Sequence, residues 1–187
     1  MEGDIMKTAI FLATGFEEIE ALTVVDMLRR AKLQCDMVSV DGEKTAKGSH
    51  GIEVAADLCI SEVDFNEYDC LVLPGGAPGF KNLEANQYLM NKLDAFYAKG
   101  KLICAICGAP SIFGHRGYLQ DKTAVVYPGM EDELKGANVV FDSVVKDGNI
   151  ITSRGMGTAI DFAGEIIATL LDEETKDALL KGIVYTS

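Results

Sequence analysis

Short apolar runs that alternate with amphipathic segments constrain this chain more than any other feature. The runs lie at Lys7–Ala13, Gln34–Val40, Tyr68–Leu73 and Lys101–Ile106. Their length and composition predict strands that are buried on both faces. Because segments with helical spacing of apolar residues separate them, the pattern predicts an α/β fold with a parallel sheet covered by helices on both sides.

The predicted helices follow the strands along the chain, at Glu17–Arg30, Asn86–Ala98, Pro110–His115, Gly157–Leu171 and Glu173–Lys181. We predict a loop over Asp41–Gly51, a strand pair at Ile52–Ala55 and Leu58–Ile60, and short strands and turns over 123–151. Lys146-Asp147-Gly148-Asn149 is typical of a hairpin turn. Since the 187 residues contain no linker, repeat or low-complexity tract, we expect one domain over 1–187.

The charge and cysteine content narrow the function classes. The net charge is −12 and the longest basic run is Arg29-Arg30, a surface that disfavours nucleic-acid and anionic-membrane partners. The chain lacks a run of ~18 apolar residues, and residues 1–7 lack the features of a signal peptide. Its five cysteines are an odd number, which favours reduced thiols. We therefore expect a cytoplasmic protein.

Cys107 is the strongest candidate for chemistry. It directly follows a predicted buried strand and precedes a helix that begins at Pro110. Small residues surround it, Ala105, Gly108 and Ala109, as the tight strand-to-helix turn of a nucleophile elbow requires. A thiol at a helix start is expected to have a lowered pKa.

The other four cysteines, Cys35, Cys59, Cys70 and Cys104, lie in apolar strands and are interpreted as small buried hydrophobic residues. Cys104 and Cys107 form a Cys-x-x-Cys pair, but Cys104 should point into the sheet, which disfavours a redox dithiol. Further zinc ligands are lacking in the sequence, so we expect no metal.

Three glycines and one carboxylate are the candidate partners of Cys107. Gly75 and Gly76 form a glycine-rich turn after a buried strand, and their N–H groups could build an oxyanion hole with that of Gly108. Glu20, one turn into the first helix, could face Cys107 as a protonated acid/base. The alternative for the glycines is a plain tight turn.

Other polar residues have weaker functional interpretations. Glu17 and Glu18 are expected to be partners of the helix dipole. His115 is too far along its helix for a Cys–His dyad and is expected to stabilise the helix end, and His50 lies in a glycine-flanked loop. Arg154 could hold a substrate carboxylate, although a structural or interface salt bridge is the favoured interpretation. The chain carries neither a phosphate-binding nor a complete dinucleotide motif, so we expect no cofactor.

Taken together, four segments resemble the ThiJ/PfpI superfamily and, within it, the branch of Parkinsonism-associated deglycases. They occur in the family's order and spacing over Met6 to Leu171 and are Gly15-Phe16-Glu17-Glu18-Ile19-Glu20, Leu73-Pro74-Gly75-Gly76, Ala105-Ile106-Cys107-Gly108-Ala109-Pro110 and Thr152-Ser153-Arg154-Gly155-Met156-Gly157-Thr158. The resemblance implies a flavodoxin-like three-layer sandwich with a mostly parallel central sheet, and a homodimer.

The resemblance also implies an oxidation-prone Cys107 hydrogen-bonded to a protonated Glu20. It implies a cofactor-independent glyoxalase or deglycase that acts on methylglyoxal or glycated groups, or alternatively a redox-sensing stress protein or chaperone in which Cys107 becomes a sulfinate. Several relatives carry a histidine where this chain has Tyr127, so Glu20 is expected to move the proton alone. A third interpretation is a protein that acts through its dimer surface and not through its thiol.

Overall fold

The computed structural model describes residues 6–186, so the prediction about residues 1–7 lies mostly outside the described residues. The strands are β1 (Lys7–Leu12), β2 (Gln34–Ser39), β3 (Thr45–Lys47), β4 (Glu53–Ala55), β5 (Leu58–Cys59), β6 (Cys70–Leu73), β7 (Leu102–Ile106), β8 (Thr123–Ala124), β9 (Asn138–Val139), β10 (Val144–Asp147) and β11 (Ile150–Ser153). The α-helices are α1 (Glu18–Arg30), α2 (Gly79–Ala85), α3 (Gln87–Ala98), α4 (Pro110–His115), α5 (Ala159–Leu170) and α6 (Glu173–Gly182).

A seven-stranded sheet organises these elements, in the order β10-β11-β7-β6-β1-β2-β5. All neighbouring pairs are parallel except β10 and β11, which form an antiparallel hairpin across Asp147 and Ile150. The predicted α/β class, mostly parallel sheet and hairpin turn are therefore confirmed.

Alternating side chains on the strands build two separate cores, one on each face of the sheet. In β1, Ala9 and Phe11 pack on the side of α2, α3 and α4, whereas Ile10 and Leu12 pack on the side of α1 and α5. This alternation is the two-residue period of a strand buried on both faces. The result is the predicted sandwich of helices, sheet and helices.

Three local predictions differ from the structure. Ile52–Ala55 and Leu58–Ile60 do not pair with each other: β4 pairs with β3, and β5 joins the main sheet beside β2. The predicted loop over Asp41–Gly51 contains β3, whose two exposed residues hide the strand pattern. The sequence interpretation also missed α2, a seven-residue helix after the glycine-rich turn.

The topology gathers the candidate residues at one edge of the sheet. β6, β7 and β11 are parallel neighbours, so their carboxyl ends lie side by side. Ligands of open α/β sheets bind beyond this edge. In the described part of the chain, 6–186, no helix is both long and apolar enough to cross a bilayer.

Candidate active site

Cys107 adopts the strained backbone of a nucleophile elbow. It follows β7 directly and has a φ of 65°, a left-handed conformation that non-glycine residues rarely adopt. Its N–H donates to the carbonyl of Ser153 at 3.0 Å, and its carbonyl accepts the N–H of Tyr127 at 2.8 Å. These two bonds fix the turn and hold the half-buried side chain at the edge of the sheet.

Gly75 brings Cys107 and Glu20 together because it has no side chain. A methyl group at this position would lie 2.5 Å from the Cβ of Cys107 and 2.6 Å from Oε2 of Glu20. The N–H of Gly75 donates to the same Oε2 at 2.9 Å. Since that N–H is already engaged, Gly75 positions Glu20, which differs from the predicted oxyanion-hole role.

Glu20 is a buried carboxyl group, only 1% exposed. Burial raises its pKa to about 7, although its hydrogen bonds to Cys107 and to the N–H of Gly75 act in the opposite direction. The nearby charge of Glu17 raises the pKa slightly further. Glu20 can therefore hold or release a proton close to neutral pH.

The Cys107 thiol and Glu20 titrate as a coupled pair. Burial raises the pKa of Cys107, the charge of Glu20 and the hydrogen bond to it add to the rise, and together they bring it to about 12. The expectation of a lowered thiol pKa is therefore wrong while Glu20 is ionised. Between about pH 7 and about pH 12 the pair holds one proton, so a thiolate requires that this proton stay on Glu20.

Two backbone N–H groups face the sulfur of Cys107, those of Gly76 and Gly108, and both favour its charged form. Gly76 has a φ of +91°, and a methyl group there would lie 2.3 Å from the backbone nitrogen of Glu17. At Gly108 a methyl group would lie 2.8 Å from the ring of Phe80. Both positions therefore require glycine, and the Phe80 contact comes from the helix α2 that sequence reasoning missed.

The other thiols take no part in this arrangement. Cys35, Cys70 and Cys104 are buried, as predicted, and the sulfurs of Cys70 and Cys104 lie 3.7 Å apart. Burial raises the pKa of Cys104, so its thiol stays protonated. Cys59 is only half-buried, because its strand β5 lies at the edge of the sheet.

A polar cluster beside the site joins α1 to the β3–β4 hairpin. Glu18 accepts hydrogen bonds from the backbone N–H of His50 at 2.7 Å and from its Nδ1 at 3.1 Å. Burial opposes the ionisation of Glu18, but hydrogen bonds from its own N–H and from His50 lower its pKa to about 2. Glu17, Glu18 and His50 offer ligand atoms within 4.8 Å of one another and are the described residues with a metal-like arrangement.

The role of this cluster differs from the predicted one. Glu18 is a tether between two elements, and not merely a partner of the helix dipole. Gly48 lies against it, since a methyl group at Gly48 would meet Oε1 of Glu18 at 2.2 Å. The glycines that flank His50 were the only sequence signal for this packing.

His115 does not reach Cys107, as predicted, but its role is different. Its Nε2 lies 2.7 Å from a carboxylate oxygen of Glu133 and its Nδ1 lies 2.6 Å from one of Glu84. Hydrogen bonds to Glu133 and then Glu84 raise its pKa, against the effect of burial. His115 therefore links three segments, whereas the prediction had it stabilise one helix end.

Tyr127 and Arg154 lie on the other side of the elbow, around a cavity of about 390 Å³. The ring of Tyr127 is half exposed, and its backbone is bonded to Cys107. Arg154 follows β11 and forms no ion pair with any of residues 6–186. Of the structural or interface salt bridge favoured from sequence, the structural form is therefore not found among these residues. Its guanidinium group lies 5.6 Å from the ring of Phe141.

Comparison with known proteins places this arrangement in a family. The model of the DJ-1/PfpI family matches residues 6–169. The protein dj-1beta of Drosophila melanogaster is 34% identical over 94% of this chain and 95% of its own. Its crystal structure superposes with a TM-score of 0.91, covering 97% of this chain and 100% of that one.

Two further relatives carry names that describe an activity. A deglycase of Pyrococcus horikoshii is 32% identical over 80% of this chain and 90% of its own. A glutathione-independent glyoxalase of Caenorhabditis elegans is 30% identical over 88% of each chain. With the family match over nearly the whole length and the superposition of the fold, the chain belongs to the DJ-1/PfpI family, in its DJ-1/deglycase branch.

Proposed function

We propose that this protein is a cofactor-independent glyoxalase or deglycase that uses Cys107 as nucleophile and Glu20 as acid/base. The single observation that carries the proposal is the buried contact between the two side chains, with a Glu20 pKa of about 7. The names of the two relatives above support an activity of this class. The substrate is a small reactive aldehyde, methylglyoxal, or its adducts with amines and thiols.

The first step would form a hemithioacetal. The Cys107 thiolate attacks the aldehyde carbon of methylglyoxal, a carbon–sulfur bond forms, and the carbonyl electron pair moves to oxygen. Glu20 gives that oxygen its proton. The N–H groups of Gly76 and Gly108 face the sulfur and are the available donors for the developing oxyanion.

The second step would move a proton within the adduct. Glu20, now a carboxylate, takes the proton from the former aldehyde carbon to give an enediolate. The hydroxyl proton passes to the former ketone oxygen, and Glu20 returns its proton to the neighbouring carbon, so the aldehyde carbon is oxidised while the ketone carbon is reduced. The product is a lactoyl thioester on Cys107. Water then cleaves the carbon–sulfur bond and releases lactate, with no external oxidant or reductant.

The test is turnover of methylglyoxal to lactate by purified Cys107→Ala. We expect the rate to fall to that of the uncatalysed reaction, with a circular-dichroism melting curve like that of the parent. Cys59→Ala is the matched control, because Cys59 is the other half-buried cysteine and lies on an edge strand. Activity that survives in Cys107→Ala would refute the scheme.

A second candidate is redox sensing at the same sulfur. It is favoured by the N–H groups of Gly76 and Gly108 and the acid of Glu20, which together can bind the oxygens of a sulfinate. Two equivalents of hydrogen peroxide would add two oxygen atoms and release two waters. Intact mass after mild peroxide should rise by two oxygens on Cys107 alone, and a disulfide between Cys104 and Cys107 would contradict this candidate.

We also propose that the protein is a cytoplasmic homodimer of a single domain, 1–187. An exposed apolar face on α1 and the β3–β4 hairpin supports the dimer: Ile19 is 50% exposed and Ile52 is 53% exposed. They border a groove of about 680 Å³. Sedimentation of the parent should give twice the monomer mass, and Ile19→Glu should give the monomer.

A further inference from the structure

The cavity beside the elbow combines one cation with an apolar rim. Its lining includes Tyr127, Phe141, Arg154 and Met156. Three of these residues are large, apolar and exposed, with Tyr127 at 51%, Phe141 at 67% and Met156 at 51%. Exposed apolar groups gathered around one cavity indicate a binding site.

Most hydrogen-bond donors of Arg154 have no acceptor among residues 6–186. Its Nη1 makes one long bond of 3.4 Å to the carbonyl of Phe141, and its buried Nε has no partner among residues 6–186. The charge of Arg154 lowers the pKa of Glu131, but it is the smallest of four influences. Hydrogen bonds from backbone N–H groups and burial affect this pKa more. Because one long bond is all that the Nη groups make among these residues, the guanidinium keeps donors for an incoming carboxylate.

The same cavity is joined to the reactive thiol through the backbone. Tyr127 donates its N–H to the carbonyl of Cys107 at 2.8 Å, and Cys107 donates to the carbonyl of Ser153, the residue before Arg154, at 3.0 Å. The segments that carry Tyr127 and Arg154 are therefore both hydrogen-bonded to the turn that carries the thiol. On a chain with net charge −12, Arg154 supplies a positive charge to the lining of this cavity.

We propose that this cavity is a subsite for the carboxylate of the substrate. It would favour aldehyde adducts that carry a carboxylate and an apolar group, such as methylglyoxal adducts of apolar amino acids, over neutral methylglyoxal. Arg154 binds the carboxylate, and Tyr127, Phe141 and Met156 contact the apolar part. The preference for adducts rests on the function proposed above, but binding of the carboxylate does not.

Two alkylating reagents test the subsite without catalysis. Iodoacetate and iodoacetamide have nearly the same size and differ in charge, so the ratio of their rates at Cys107 reports recognition of a carboxylate. Peptide mass spectrometry follows Cys107 separately from the other cysteines. We expect Arg154→Gln to lower the iodoacetate/iodoacetamide ratio about tenfold, as loss of a charged hydrogen bond implies. Arg154→Lys should lower it less, since the charge stays but the fork is lost.

Lys81→Gln is the matched control, because Lys81 is a cation of α2 in a different cleft and its removal changes the net charge equally. It should change the ratio less than twofold. An equal ratio in the parent and Arg154→Gln would overturn the subsite, as would a ratio that falls equally in Lys81→Gln. A change of sedimentation in Arg154→Gln without a change of ratio would assign the face to an interface and also overturn it.

Turnover separates this inference from the proposed function. Relative to the parent, kcat/KM for the carboxylate-bearing adduct should fall in Arg154→Gln, mainly through KM, and by a larger factor than kcat/KM for methylglyoxal. A parent that turns over neither substrate but keeps the Arg154-dependent alkylation ratio would refute the enzyme and leave the subsite standing.

Discussion

Replacement of Glu20 by glutamine tests the coupled pair directly. In the parent, the rate of Cys107 alkylation by iodoacetamide should rise in two steps, the first near pH 7 as the pair loses one proton and the second near pH 12 as it loses the other. Two unit charges about 4 Å apart repel by about 4 kcal/mol at an effective dielectric of about 20. This corresponds to ~3 pKa units.

Glu20→Gln removes that repulsion and the titrating carboxyl group. The first step should disappear, and the second should fall below about 12 by less than the ~3 pKa units of the full repulsion, because burial, the largest cause of the raised pKa, remains. The assay is the pseudo-first-order rate against pH from about 5 to 11, followed on the Cys107 peptide, a range in which the parent should show its first step and Glu20→Gln should lack it. Since glutamine has nearly the size of glutamate, the packing around Gly75 is preserved.

Glu17→Gln is the control for this experiment. It removes a carboxylate one turn away, whose charge only slightly raises the pKa of Glu20. We expect the first step to remain, shifted slightly to lower pH. A single midpoint near ~8.5, the value of a free cysteine, in both the parent and Glu20→Gln would refute the coupling and the mechanism built on it.

Three further outcomes are expected. Gly75→Ala should destabilise the protein by about 1–3 kcal/mol in urea unfolding and slow the alkylation of Cys107, because the new methyl group overlaps the site. Gly182→Ala is the control: a methyl group there meets no atom within 4 Å, so stability and alkylation rate should both stay unchanged. His115→Gln should lower the free energy of unfolding most below about pH 6.5, because the pKa of His115 is raised in the folded state. The loss of stability should shrink as pH rises, and a loss independent of pH would contradict this prediction. Glu18→Gln should be less stable than the parent at pH 7. Urea titrations should show the difference in stability shrinking as pH falls from ~4.3 toward about 2, because the pKa of Glu18 in the folded state is lowered to about 2. Equal stability of the two proteins at pH 7 would contradict this prediction.

Much of the fold follows from local sequence patterns. The buried strands β1, β2, β6 and β7 are continuous apolar runs, and the long helices have clear apolar periodicity. The patterns failed where elements are short or exposed, as in β3 and α2, since few residues there contact the core. The pairing of β4 and β5 with different partners also could not be predicted, because strand partners are chosen by contacts distant in sequence.

The candidate active site also combines features that follow from local sequence with features that depend on distant contacts. Local sequence is enough to place Cys107 at a tight turn after a buried strand, because small residues and Pro110 leave few other conformations. Contacts between distant segments set the rest: Gly75 donates its N–H to Glu20, and Arg154 has no carboxylate partner among residues 6–186. They also set the sign of the thiol pKa shift, since burial and the charge of Glu20 outweigh the N–H groups near Cys107. Burial and through-space charge depend on groups far apart in the chain, and spacing along the sequence does not encode them.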